Sequence, residues 1–136
     1  MMKEIEFDMI MEKIPKGTAQ MKRANFRNRT FFEGANLKSA RYTYTQILSL
    51  NAPEWPLIGP VGATFEFYYP IKDKRKKGKY KVTKPDCDNL VKLLQDCMTK
   101  LHYWNDDAQI ARLVVEKAYS VHDCAQIHIK VRELED

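Results

Sequence analysis

The stretch Asp88-Asn89-Leu90-Val91-Lys92-Leu93-Leu94-Gln95-Asp96-Cys97-Met98-Thr99-Lys100-Leu101 decides the fold. Within it Leu90, Leu93, Leu94, Cys97, Met98 and Leu101 recur at steps of three and four, the mark of an amphipathic helix with one apolar face. Ahead of it, Val61, Ala63, Phe65, Phe67 and Tyr69 share one face of a strand that Pro70 ends. Behind it, Ile110 to Val121 is rich in β-formers, and residues 125–132 set Ala125, Ile127, Ile129 and Val131 against Gln126, His128, Lys130 and Arg132. Residues 3–12 alternate in the same way, with Ile5, Phe7, Met9 and Met11 on one side. A second helix is predicted from Leu37 to Leu50, stopped by Asn51-Ala52-Pro53. Residues 14–36 lose periodicity and read as a long basic loop, with Lys16, Lys22, Arg23, Arg27 and Arg29 among Phe26, Phe31 and Phe32. The resulting order, β-α-β-α-β-β, predicts an α+β fold: a small mixed sheet with helices packed on one face.

A chain of 136 residues suits a single domain, taken here as 1–136. Its net charge of +5 and pI of about 9.1 favour polyanionic partners. No apolar run approaches the roughly 18 residues of a membrane helix, and the start alternates charge with apolarity instead of showing a secretory block. A cytoplasmic protein with no membrane partner is expected. Cys87, Cys97 and Cys124 are odd in number and lack a CxxC pair, so reduced thiols are expected; with His102, His122 and His128 they show no paired zinc spacing.

Against the basic background, Lys84-Pro85-Asp86-Cys87-Asp88-Asn89-Leu90-Val91-Lys92 and Trp104-Asn105-Asp106-Asp107-Ala108-Gln109 gather four carboxylates and a lysine around the predicted helix. One reading is structural. Asp86 or Asp88 would cap the helix, Asp106-Asp107 would form a turn, and Lys92 would be a solvated partner of Asp88 four residues away. The other is chemical: carboxylate oxygens suit a hard divalent cation, and a basic chain brings phosphate to it. That reading requires the turn after the helix to fold back toward its start. The run Lys72 to Lys81 reads as an exposed, mobile loop, either merely solvated or, from its place just ahead of the acidic motif, set to neutralise nucleic-acid phosphates through Lys74, Arg75, Lys76, Lys77 and Lys79, with Lys22, Arg23, Arg27 and Arg29 as a second candidate contact. The tail Glu133-Leu134-Glu135-Asp136 reads as a solvated terminus.

The composite D-x-D-N-L-x-K, a helix's length, then an aromatic-preceded D-D-x-Q resembles the core signature of the RusA family of Holliday junction resolvases. The likeness covers Lys84 to Val115; the N-terminal half matches only in character. The resemblance implies that Asp86, Asp88 and Asp107 are catalytic, metal-binding carboxylates for Mg²⁺, that Lys92 is the essential lysine, and that Asp106 is secondary. It further implies a homodimer that nicks four-way junction DNA in pairs. Candidate dimer surfaces are the Val61 to Tyr69 strand and the apolar faces of the terminal strands. Competing readings are a nuclease for other branched DNA and a non-catalytic basic DNA-binding protein.

Overall fold

Strict alternation makes the last strand the centre of the core: Ala125, Ile127, Ile129 and Val131 are all fully buried. In a computed structural model that describes residues 2–16, 22–25, 30–33 and 35–136, with backbone alone for 22–25, 30–33 and 35, the elements follow in order. They are β1 (Glu4–Met11), β2 (Lys22–Asn25), β3 (Thr30–Glu33), α1 (Ala35–Asn51), β4 (Val61–Tyr69), α2 (Cys87–Lys100), β5 (Ile110–Tyr119) and β6 (Ala125–Glu133). The main sheet has the order β1-β6-β4-β5. β6 pairs antiparallel with β1 and β4, whereas β4 and β5 are parallel, so the sheet is mixed. A parallel pair needs a crossover, and α2 supplies it. Met9, Phe65, Phe67, Ile127 and Ile129 meet Leu37, Tyr44 and Leu48 of α1 and Leu93, Leu94 and Met98 of α2 in one core. Both helices therefore cover one face, as expected.

Three expectations are corrected. Within the stretch read as a loop, β2 and β3 pair antiparallel from Lys22↔Glu33 to Asn25↔Thr30. Thr30, Phe31 and Phe32 favour extended backbone, but a four-residue strand shows too few alternations to stand out. β4 lies between β6 and β5, so its edges are already paired and it offers no dimer edge. Finally, Glu133 is no solvated tail residue. It ends β6, is buried, and accepts backbone N–H bonds from Lys3 at 2.9 Å and Ile58 at 2.8 Å. Those bonds, Ile58 first, hold its carboxyl below the usual range. Glu133→Ala leaves both amides without their acceptor and is expected to cost about 2 kcal/mol, read as a lower urea midpoint at unchanged m-value.

On the face away from the helices, His128 is clasped by β1, with Nε2 2.8 Å from Glu6 Oε2 and Nδ1 2.7 Å from Asp8 Oδ1. Burial works against its protonation, but the hydrogen bonds and charges of Asp8 and Glu6 outweigh it and raise the pKa above 6.5. A raised value means stability fully present below the unfolded pKa and lost as pH climbs through the folded one. The urea midpoint is thus expected to fall as pH rises above about 6.5, and His128→Gln to flatten that fall.

Candidate active site

Helix α2 begins where the sequence places paired carboxylates. Asp86 occupies the N-cap position with extended backbone (φ −72°, ψ 148°), yet its side chain makes no capping bond. Asp88 lies in the first turn, exposed, and Lys92 follows one turn later, also exposed. Among the described residues, the side chains of Asp86, Asp88 and Lys92 have no hydrogen bond or ion pair. The structural reading, capping by Asp86 and pairing of Asp88 with Lys92, is therefore not what these side chains do. The segment ahead of them is held from β5: Lys117 Nζ donates to the carbonyl oxygens of Thr83 and, at 2.7 Å, Pro85.

The C-terminal end of α2 turns the chain back. His102 takes a left-handed conformation (φ 61°), His102 N donates to Thr99 O and Tyr103 N to Met98 O, the double closure of a Schellman motif. Tyr103 and Trp104 behind it are fully buried, Tyr103 Oη donates to Leu48 O, and Trp104 Nε1 donates to Thr99 Oγ1 at 2.8 Å. Leu57 N bonds Tyr103 O at 2.8 Å, which ties the turn to the connector before β4.

The Asp106-Asp107 turn is then built as a one-turn 3₁₀ helix, Asp107–Gln109, capped by Asp106. Asp106 Oδ1 accepts from Ala108 N at 2.8 Å, so this acid is committed to the turn. Gln109 secures the rest. Its Oε1 accepts from Asn105 N at 2.8 Å and Asp106 N at 3.0 Å, while its Nε2 donates to Leu57 O at 3.1 Å and Gly59 O at 3.0 Å. Asp107 itself is exposed at the mouth of β5. Its carboxyl is pushed up by burial first, then by its hydrogen bond with Asp106 and the charges of Asp106 and Asp96.

Asp107 thus stands in electrostatic range of Asp96, which lies one turn beyond Lys92 and two beyond Asp88. Among the described residues, no three of His, Cys, Asp or Glu converge as a ligand set. The single chain therefore aligns Asp88, Lys92 and Asp96 along α2 and brings Asp107 beside that stripe, without drawing Asp86, Asp88 and Asp107 into a closed cage. Asp96 and Lys117 had no role in the sequence reading, and Gln109 entered it only as the last position of the D-D-x-Q motif, with no task assigned. Asp96 was legible as Lys92 plus four, and Gln109 as the far end of an Asp106-x-x-Gln109 capping box; its bonds to Leu57 and Gly59, like those of Lys117, are long-range and left no local signal.

The basic flank is more ordered than expected. Gly78 N donates to Tyr119 O, Tyr119 N to Lys79 O and Lys81 N to Lys117 O, so residues 78–81 pair with β5 instead of forming a free loop. Lys74, Lys76 and Lys79 are exposed, whereas Arg75 is paired with Asp73 at 3.1 Å and Lys77 with Asp123 at 3.0 Å. The Arg23 side chain, Arg27 and Arg29 lie outside the described residues.

Exposed carboxylates at a helix start and on a returning turn, carried with a lysine-rich flank on a small mixed sheet, define a two-layer α+β domain with an acidic patch in a basic chain. The family described as Endodeoxyribonuclease RusA matches residues 13–132, and the chain belongs to that family. It is 41% identical over 70 residues to the crossover junction endodeoxyribonuclease rusA of Lactococcus phage r1t, a match covering 52% of this chain and 53% of that protein. It is 33% identical over 99 residues to the uncharacterized protein YqaN of Bacillus subtilis (strain 168), covering 65% and 68% respectively. The chain therefore spans about half the length of the phage relative it matches. No helix among the described residues is long and apolar enough to cross a membrane.

Proposed function

We propose that this chain is a Mg²⁺-dependent endodeoxyribonuclease that resolves four-way DNA junctions by paired, symmetric nicks, acting as a cytoplasmic homodimer in recombination and repair. One observation carries the reading beyond family membership. Asp86 stands at the N-cap without capping, and among the described residues its side chain and those of Asp88 and Lys92 have no partner. Exposed carboxylates without a structural partner among the described residues, in a basic chain, are available for chemistry.

The donor set is all oxygen, which fits a hard cation that takes one or two carboxylates and completes its shell with water and phosphate oxygens. Asp86 and Asp88, adjacent at the start of α2, would supply those carboxylates, with Asp107 as the third ligand that the family resemblance implies, although among the described residues the three do not converge as one ligand set. Bound Mg²⁺ supplies Lewis-acid charge at the scissile phosphate and a water of lowered pKa. Lys92 offers a compact positive charge against the negative charge that develops on the phosphate oxygens. Gln109 and Lys117 position the two backbone segments that carry the acids. Lys74, Lys76 and Lys79 neutralise backbone phosphates beside them. Replacing those three lysines with Ala is expected to reduce the slope of log binding constant against log salt by about 2 to 3.

Substrate class is tested by incubating the protein with labelled four-way junctions, flaps and linear duplex, with and without Mg²⁺. Metal-dependent nicking of the junction in preference to the others is expected. Equal cleavage of all three contradicts junction resolution, and intact junctions under all conditions contradict the enzyme reading.

A further inference from the structure

The helix-free face of the main sheet is divided by charge. Residues directly opposite on paired strands share a face, which gathers Glu6, Asp8, Glu66 and Glu116 around His128 toward one end. Toward the other end the sign reverses. Gly62 of β4 stands opposite Arg132 of β6 on one side and Arg112 of β5 on the other, and Thr64 stands opposite Lys130. A cleft of about 160 Å³ opens over this spot, lined by Gly62, Ala63, Thr64, Arg112, Lys130 and Arg132. Its floor carries no side chain at Gly62 and a hydroxyl at Thr64. Neighbouring strands lie about 4.8 Å apart, so Arg112 and Arg132 flank the glycine from backbones about 10 Å apart, a gap that two guanidinium groups can close around one tetrahedral anion.

These cations have little to do within the chain. Among the described residues the side chains of Arg112 and Arg132 make no hydrogen bond or ion pair, and both residues are exposed. Lys130 has Glu4 Oε1 only at 3.7 Å. Glu133, Glu135 and Asp136 line a neighbouring cavity that the two arginines also border, but Glu133 is spent on the Lys3 and Ile58 amides. Three cations over a bare floor, two of them unpaired, suit a ligand with charged oxygens on several sides.

We infer that this cleft holds a backbone phosphate of DNA, at a position remote from the bond that is cut. That the phosphate belongs to DNA rests on the function proposed above. Residues 78–81 bond Lys117 and Tyr119, at the far end of β5 from Arg112. Tyr119 is seven residues beyond Arg112, about 23 Å at the rise of a strand. The cleft and the lysine-rich flank therefore grip opposite ends of β5, and two grips at that spacing fix the direction in which a duplex arm crosses the domain. Contacts of this kind position the nucleic acid without reading its sequence.

Binding of a labelled four-way junction in chelator, where nothing is cut, tests the cleft apart from any nuclease activity. Arg112→Gln with Arg132→Gln is expected to weaken binding about tenfold and to lower the slope of log binding constant against log salt by about 1. Arg112→Lys with Arg132→Lys keeps the charge and should retain most of the affinity. Combined with Ala at Lys74, Lys76 and Lys79, the Gln pair should add its loss to theirs, as separate contacts do. A neutral methylphosphonate moved along each arm locates the contact: the wild type should lose affinity at a position where the Gln pair is indifferent. In Mg²⁺, single-turnover cleavage at saturating protein should be the same for the Gln pair and the wild type. An unchanged salt slope in the Gln pair, equal methylphosphonate sensitivity of both proteins at every position, or a loss in the Lys pair as large as in the Gln pair overturns the inference. A protein that passes these binding tests and cuts nothing in Mg²⁺ sinks the enzyme reading and leaves the cleft; cleavage with an unchanged slope does the reverse.

Discussion

Asp88→Asn is expected to lower junction cleavage by at least about 10³-fold, several kcal/mol of transition-state stabilisation, while junction affinity stays level or tightens. The change is close to isosteric. It removes the charge that would hold a cation and leaves the fold alone, because Asp88 is exposed and has no bond or ion pair among the described residues. Removing a negative charge beside bound phosphate also lessens repulsion, which is why affinity should not fall. Asp86→Asn and Asp107→Asn should behave alike. Asp106→Asn should not: Asp106 caps its turn through an oxygen that Asn retains, so most activity is expected to survive. Single-turnover cleavage alongside a gel-shift titration separates the two behaviours, and loss of junction binding in all three variants would count against the assignment.

Gln109→Ala is expected to lower cleavage by about 10²-fold through placement alone, because a shift of about 1 Å in a reacting group can cost that much. The side chain accepts two backbone N–H groups of the Asp106 turn and donates to two carbonyls of the connector before β4. Without it the turn loses its tie to the sheet, and Asp107 its fixed place beside α2. Since these partners are partly exposed and water can replace the bonds, the cost to stability should be about 1–2 kcal/mol, less than unfolding the domain. A merely structural role predicts the stability loss without a kinetic one. The decisive readout is therefore a fall in the cleavage rate at saturating protein with junction affinity retained.

The long elements were legible because their apolar periods run over many residues. The expected Val61 to Tyr69 strand has the observed bounds of β4, and α2 starts and ends within a residue of expectation. The hairpin of β2 and β3 was not, since four residues carry too little pattern. Within the site, the sequence named Asp86, Asp88, Asp106 and Asp107 but missed Asp96, and it left open which of them cap. That depends on where each carboxylate points relative to nearby N–H groups: Asp106 reaches Ala108 N, and Asp86 reaches none. The carboxamide donor bonds of Gln109 and the carboxylate bonds of Glu133 were beyond local reading for a different reason. Their partners, Leu57, Gly59, Lys3 and Ile58, are brought to them by sheet assembly from far along the chain.

The central claim is that Asp86, Asp88 and Asp107 form a metal-dependent phosphodiester-cleaving site on a junction-binding chain. Its most direct test is to map nicks at nucleotide resolution on a mobile four-way junction, using wild type and Asp88→Asn, with and without Mg²⁺. Symmetric nicks in opposing strands are expected from the wild type in Mg²⁺ alone, and bound but intact junction from Asp88→Asn. Nicks of equal yield from both proteins, or from the wild type with chelator in place of Mg²⁺, would contradict it.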